Sequence, residues 1–178
     1  PPIEKSEVIK CRQEKAKVAK TKLENAISDE TCSESTKDKL EKKTIRLTKT
    51  HIDDIKHLLN LMGIEYLHID GEAEAIASEL CRIGYVDYVI TEDMDSLTFG
   101  CPNLIRNCMD KSLKRKDMIS IINLDTILHD MKLSYEQFIE LCILCGCDYC
   151  SNIPRVGPVK AYGTIQEHGT IENFLEID

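Results

Sequence analysis

Acidic side chains gather at three places in this chain, and each place directly follows an apolar run. The residues are Glu72, Glu74, Asp93, Asp95 and Asp148. Because like charges repel one another, a fold that brings these carboxylates together needs a cation. Mg²⁺ prefers an all-oxygen ligand set, and pairs of such ions about 4 Å apart serve phosphodiester cleavage. The residues therefore predict a metal-dependent phosphoryl-transfer site.

The acidic pairs also have a simpler explanation, which is the start of an ordinary helix. Capping and the helix dipole both favour acids there. Residues two apart on a regular helix do not face each other, so Glu72 and Glu74 can share an ion only if one precedes the first turn, which Gly71 allows. Helix starts would explain one such pair. Two pairs together with Asp148 favour a shared ion.

The whole-chain composition limits the classes of protein. At 178 residues with 42% hydrophobic residues, the chain is expected to form one domain or a little more. Its apolar runs are too short to cross a bilayer, so no membrane association is predicted. Nine cysteines without a secretory signal indicate free thiols and an intracellular, reducing compartment. Cys142, Cys145, Cys147 and Cys150 could suggest a zinc or iron–sulfur site, but we interpret Cys142 and Cys145 as small apolar residues of a buried helix, and the spacing of the four does not match a zinc ribbon.

Charge is distributed unevenly along the chain. The net charge is −8, but residues 1–50 hold 13 Lys and Arg against 9 Asp and Glu, whereas residues 51–178 hold 10 against 22. A basic segment beside an acidic one suits an arm over a cation-loaded site. A solvated helical surface would give the same counts, and the counts alone favour that alternative.

Hydrophobic periodicity predicts an α/β fold with a mostly parallel sheet flanked by helices, because strands and helices alternate after Gly63. Ligands gather at the carboxyl ends of strands in such sheets. The predicted strands are Tyr66–Ile69, Tyr85–Ile90, Asn103–Arg106 and Met118–Ile122. A polar turn is predicted over Ser28–Lys37, followed by a second helical stretch that breaks near Thr44–Thr50. Gly63 and Gly84 are predicted to stop the helices that precede them. The other predicted helices are Ser6–Ile27, His51–Met62, Ala73–Ile83, a short helix at Asp93–Leu97, Leu124–Met131 and Ser134–Gly146.

The segment after Asp148 has a different character. Ser151–Pro158 is a short Pro- and Gly-containing loop between two predicted helices, the second ending near His168. Gly157 permits close backbone approach, and the following helix start offers free amides to an anion. A helix-hairpin-helix that holds a DNA phosphate would have this pattern, and so would any αα-hairpin with a similar turn.

Four segments of the chain carry a family likeness: Leu58–Ile64, Gly71–Ala75, Thr91–Gly100 and Leu141–Cys150. Together they closely resemble the flap endonucleases of the XPG-type superfamily of structure-specific 5′ nucleases. The string Glu-Asp-Met-Asp-x-Leu-Thr-Phe-Gly favours the flap branch over its exonuclease, repair and junction-resolving relatives, and the likeness runs through almost the whole chain.

The resemblance implies that two Mg²⁺ ions catalyse cleavage of the 5′ strand of branched DNA. Mn²⁺ would be able to replace Mg²⁺. The resemblance makes Glu72, Glu74, Asp93, Asp95 and Asp148 the metal ligands, directly or through water. Lys5 and Arg12, seven residues apart and so two helical turns, would face the scissile phosphate from a gateway helix. Gly157 and Lys160 would contact DNA in a helix-hairpin-helix that also holds a monovalent cation.

The resemblance further implies three regions: a gateway helix and helical arch at 1–47, a PIN-like nuclease core at 48–146, and the hairpin element at 147–178. The protein would be a monomer of DNA replication and repair that binds a sliding clamp through a C-terminal tail. It would be nuclear in a eukaryote, and otherwise cytoplasmic or at a viral replication site.

The chain departs from the family pattern in two ways. It contains neither of the family's two upstream aspartates nor the clamp-binding tail, so we expect it to be the middle portion of a longer protein. Arg155 also stands where the family's hairpin has its first Gly, and Val159 stands where the family usually has a basic residue. The alternatives are a 5′-exonuclease or junction resolvase on the same scaffold, a non-catalytic DNA-binding module, and a phosphate-binding α/β domain.

Overall fold

The structure, a computed structural model, describes residues 5–28, 32–108, 119–150 and 153–176. The chain divides into two compact units, Pro1–Asp70 and Gly71–Asp178, which we call the first and second units. Within the described ranges, no helix combines the length and the apolar character that a membrane span requires.

The first unit consists of helices α1 (Ser6–Ser28), α2 (Glu34–Thr44) and α3 (Lys49–Leu61). Helices α1 and α2 pack side by side. α2 begins within the stretch predicted as a turn, because the Ser33 hydroxyl accepts a hydrogen bond from the Thr36 amide and caps it. At α3, Thr48 and His51 form a reciprocal capping box. The predicted helices over 6–27 and 51–62 are confirmed with small shifts of their ends.

The sheet lies in the second unit and has the order β1 (Val89–Ile90), β2 (Asn103–Arg106) and β3 (Ser120–Asn123). Val89 pairs with Leu104 in parallel, whereas Leu104 pairs with Ile122 in the antiparallel direction. The prediction of a mostly parallel sheet is therefore wrong for the described strands, which form a small mixed sheet. β2 and β3 are consecutive strands and pair antiparallel, with Asn103 opposite Asn123 and Arg106 opposite Ser120.

Two of the strand predictions also need correction. Tyr66–Ile69 forms no strand, and Leu67 is 69% exposed there, because no described strand pairs with it. Tyr85–Ile90 shortens to the two residues of β1. Asn103–Arg106 is confirmed, and the last predicted strand begins at Ser120, with Met118 outside the described residues.

The helices of the second unit follow the predicted order. Their bounds are α4 (Ala73–Arg82), α5 (Asp95–Thr98), α6 (Leu124–Met131), α7 (Tyr135–Cys145), α8 (Pro158–His168) and α9 (Ile171–Leu175). The last of these was not predicted. α7 is capped reciprocally by Ser134 and Gln137, which sets its start where the sequence places it.

Two hydrophobic clusters stabilise the second unit, and α7 contributes to both. Its Phe138 packs in the first cluster with Leu97 and Leu104, beside the sheet. Its Leu141 and Leu144 pack in the second with Ala161 and Ile165 of α8. α7 therefore connects the packing of the sheet with that of the helical tail, and Asp148 follows it closely.

Candidate metal and nucleic-acid site

Glu72 and Glu74 occupy the start of α4. Glu72 is the N-cap, with an extended backbone, and Glu74 lies in the first turn. Gly71 before them has a φ of 146°, which L side chains rarely adopt. The predicted arrangement, in which one glutamate precedes the helix, is confirmed. Both side chains are half-buried.

Asp93 and Asp95 lie in a tight loop that follows β1. The Asp93 amide donates a hydrogen bond to Thr91 Oγ1 at 3.1 Å, and the Asp95 amide donates to Asp93 Oδ1 at 3.0 Å. Asp95 then begins α5. The loop is thus held by its own side chains, and both aspartates are exposed.

Glu92 has a different role from its acidic neighbours. Its Oε1 accepts a hydrogen bond from the Asn107 amide at 2.9 Å, and its Oε2 lies 3.8 Å from Arg106 Nε. Both partners belong to the end of β2. Glu92 therefore anchors the loop to the sheet, a distinction that the run of acids in the sequence does not reveal.

Ser78 connects the two acidic segments, and sequence reasoning missed it. This side chain is fully buried in α4, and its hydroxyl shares one proton between Glu74 O at 2.6 Å and Ser96 O at 3.1 Å. The bond to Ser96 crosses from α4 to α5. The only signal in the sequence was a small residue four positions after Glu74 on the apolar face of the helix.

α7 meets α5 from the other side. The Tyr135 hydroxyl donates to Thr98 O at 2.8 Å, and burial raises the pKa of this phenol. Burial likewise raises the pKa of the Cys142 thiol to about 11, with smaller contributions from Cys145 and the negative charge of Asp95. The charge of Asp95 therefore acts on α7. Asp148 is half-buried in the turn after this helix.

The elements that carry the five carboxylates thus lie in one unit and are linked by specific contacts. Among the described residues, however, no group of three or more His, Cys, Asp or Glu side chains is arranged to hold a metal ion. The donor chemistry fits Mg²⁺, since all five groups are carboxylates. Their convergence on shared ions stays a prediction.

Lys5 and Arg12 belong to the first unit. Lys5 directly precedes α1 and is half-buried, whereas Arg12 lies within the helix and is exposed. The backbone carbonyl of Arg12 accepts a hydrogen bond from Arg46 at 3.1 Å. The predicted helix contains Arg12 but begins one residue after Lys5, and the action of the two side chains on a phosphate stays a prediction.

The tail contains two packed helices, α7 and α8, joined by a loop that ends at Gly157. Gly157 is the N-cap of α8 and is half-buried, and Lys160 is exposed in the first turn. Arg155 has a φ of 65°, in the left-handed region that favours glycine. The structure thus explains why a Gly suits this position. Anion binding at the loop stays a prediction.

Comparison with known proteins decides the family. Residues 63–148 match the XPG I-region. The chain is also 42% identical over 177 residues to flap endonuclease 1 of Phytophthora infestans, covering 99% of this chain and 45% of that protein. The chain belongs to the flap endonuclease family.

Solved structures agree with this membership. Flap endonuclease-1 from Methanococcus jannaschii matches with a TM-score of 0.66 and 31% identity, over 74% of this chain and 41% of that one. The catalytic core of Rad2 in complex with a DNA substrate matches with a TM-score of 0.71 and 27% identity, over 97% and 46%. The chain spans about half the length of the curated relatives it matches.

The segment that matches the family model contains some of the candidate residues and not others. The XPG I-region begins at Gly63 and ends at Asp148, so it includes all five carboxylates. Lys5, Arg12, Gly157 and Lys160 lie outside it. The acidic set and its supporting contacts therefore lie within the segment that matches the family model, and the role of the carboxylates as metal ligands stays a prediction.

Proposed function

We propose that the protein containing this chain is a Mg²⁺-dependent, structure-specific 5′ flap endonuclease that cleaves branched DNA in replication and repair. The observation that carries the proposal is the buried Ser78 hydroxyl, which joins the two acidic segments through Glu74 O and Ser96 O. The link lies inside the matched XPG I-region.

Two Mg²⁺ ions would be held by the five carboxylates, with Mn²⁺ able to substitute. When bound, such ions stabilise the negative charge on the attacking and leaving oxygens of the phosphodiester. The chain's own contribution is positioning. Gly71 places Glu72 ahead of the helix, the Asp93–Asp95 loop is locked by its own hydrogen bonds, and α7 supports Asp148 from the core.

DNA would meet two further regions. Exposed lysines of α1 and α2, together with Arg12 in α1 and Lys5 directly before it, form the proposed arch and gateway for the 5′ strand. The free amides that follow Gly157, with Lys160 nearby, form the proposed hairpin site for a duplex phosphate and a monovalent cation. We further propose a monomer that binds a sliding clamp through a C-terminal tail and acts inside the cell, in the nucleus of a eukaryote.

The test is Asp93→Asn in a version of the protein extended to the length of its relatives. We expect flap cleavage to fall by roughly 10²–10³-fold, with DNA binding largely retained, because the carboxylate serves the ion and not the duplex. Cleavage is measured at saturating Mg²⁺ with a labelled 5′ flap substrate, and binding by fluorescence anisotropy.

The matched control is Glu92→Gln, one residue earlier. Its side chain serves the end of β2, so cleavage should stay near the wild-type rate. Unchanged cleavage by Asp93→Asn would refute the metal role. Parallel assays on nicked duplex and four-way junction DNA separate the flap proposal from a 5′-exonuclease or junction resolvase, and binding without cleavage on every substrate would indicate a non-catalytic module.

A further inference from the structure

Cys147 and Cys150 form a close pair that the proposed nuclease chemistry does not use. Their Sγ atoms lie 3.4 Å apart, and their backbones form an isolated antiparallel bridge. Both are free thiols, with Cys147 half-buried and Cys150 exposed. Two thiols that already touch across a turn need little movement to become bonded.

The backbone geometry suits a covalent link. Residues paired across an antiparallel bridge have Cα atoms about 4.5–5.5 Å apart, inside the range of about 4.4–6.8 Å that a disulfide spans. The chain also offers an internal comparison, because Cys142 and Cys145 have the same Cys-x-x-Cys spacing. Those two lie within α7, where hydrogen bonds of the helix hold the backbone and no bridge brings the two residues opposite each other.

We propose that Cys147 and Cys150 are an oxidation site at which a peroxide forms an intraloop disulfide around Asp148. The exposed Cys150 thiol attacks a peroxide oxygen, which breaks the O–O bond and gives a sulfenic acid and one water. The Cys147 sulfur then attacks that sulfur and displaces the hydroxyl as a second water. Two thiols lose two protons and two electrons in total, and hydrogen peroxide is reduced to two waters.

The consequence is local. The disulfide closes the turn whose two inner residues are Asp148 and Tyr149, so it fixes the backbone that presents a proposed metal ligand. Reduction by a thiol restores the open turn by exchange. The experiment below detects only which sulfur atoms are bonded to each other. Its result therefore does not depend on whether the protein is a nuclease.

The experiment oxidises the reduced full chain with limiting hydrogen peroxide, blocks remaining thiols and digests without reductant. Trypsin gives the peptide 133–155 with four cysteines, and chymotrypsin then cuts after Tyr149, between Cys147 and Cys150. A Cys147–Cys150 disulfide keeps the two fragments joined until reduction. We expect this joined species in roughly tenfold excess over any product that links Cys142 to Cys145, because the bridged thiols are already oriented.

Matched variants decide between the pairs. Cys142→Ser with Cys145→Ser should leave the joined species unchanged, and Cys147→Ser should abolish it and leave a Cys150 sulfenic acid that a 1,3-dione reagent labels. Two results would overturn the proposal. One is that the two fragments are still joined by a disulfide in Cys147→Ser. The other is that the cysteines of the wild-type protein are oxidised to oxygen adducts and form no disulfide. If a variant fails to fold, fragmentation mass spectrometry of the joined wild-type species still tests the proposal, because it shows whether Cys147 or another cysteine is bonded to Cys150.

Discussion

The two units of this chain are stabilised in different ways. In the first unit, Ala19 is the one buried residue among those described, and α2 and α3 bury none. The second unit has two hydrophobic clusters that share α7. Helices of the first unit therefore depend on caps and local charge, whereas those of the second depend on tertiary packing.

The difference matches the roles that we propose. A surface that meets a polyanion needs exposed cations, and the first 50 residues carry the chain's basic excess. Carboxylates that share ions need fixed positions, which a packed core supplies. The three described non-glycine residues with positive φ, Asn107, Lys132 and Arg155, all lie in the second unit. Local strain is thus found where tertiary packing can offset it.

The largest expected effect contrasts a core leucine with an exposed one. Leu97 is 2% exposed in the first cluster, so Leu97→Ala should lower the free energy of unfolding by about 3 kcal/mol. Leu61 at the end of α3 is 72% exposed, and Leu61→Ala should cost less than about 0.5 kcal/mol. Equilibrium unfolding in urea measures both. If the two variants lose equal free energy of unfolding, then α3 is also stabilised by burial of its side chains.

A smaller effect should separate two fully buried serines. Ser78→Ala removes the hydroxyl that joins α4 to α5 and should cost about 1–2 kcal/mol. Within the described residues Ser96 Oγ is buried without a hydrogen-bond partner, so Ser96→Ala should be neutral or slightly stabilising. Thermal unfolding of the two variants gives the comparison. A greater loss for Ser96→Ala would contradict the assignment of the link to Ser78.

The smallest effect concerns backbone strain in the hairpin. Arg155→Gly should stabilise the second unit by about 0.5–1 kcal/mol, since glycine adopts a positive φ without steric cost. Val159→Gly is the control. This side chain is 89% exposed in the first turn of α8, where glycine should instead destabilise the helix by about 0.3 kcal/mol, because glycine is a weaker helix former than valine. Urea unfolding measures the change in the free energy of unfolding for each variant. If that change has the same sign in both, backbone strain at Arg155 does not affect stability.

The sequence by itself determined the local features of this protein. Ser134 predicted the start of α7, and Gly63 and Gly84, both with positive φ, predicted the ends of α3 and α4. The acidic residues and their order along the chain were also evident from it. Helix caps and glycine stops act over a few residues, so a linear pattern contains the information that they need.

Only the tertiary structure decided the long-range partners. It placed β3 antiparallel to β2, left Tyr66–Ile69 without a strand partner, and engaged Glu92 with Asn107 rather than with its acidic neighbours. It also gave Ser78 its role as a link between helices. Each of these depends on a hydrogen-bond partner distant in sequence, and the periodicity of a segment does not specify which distant group will meet it.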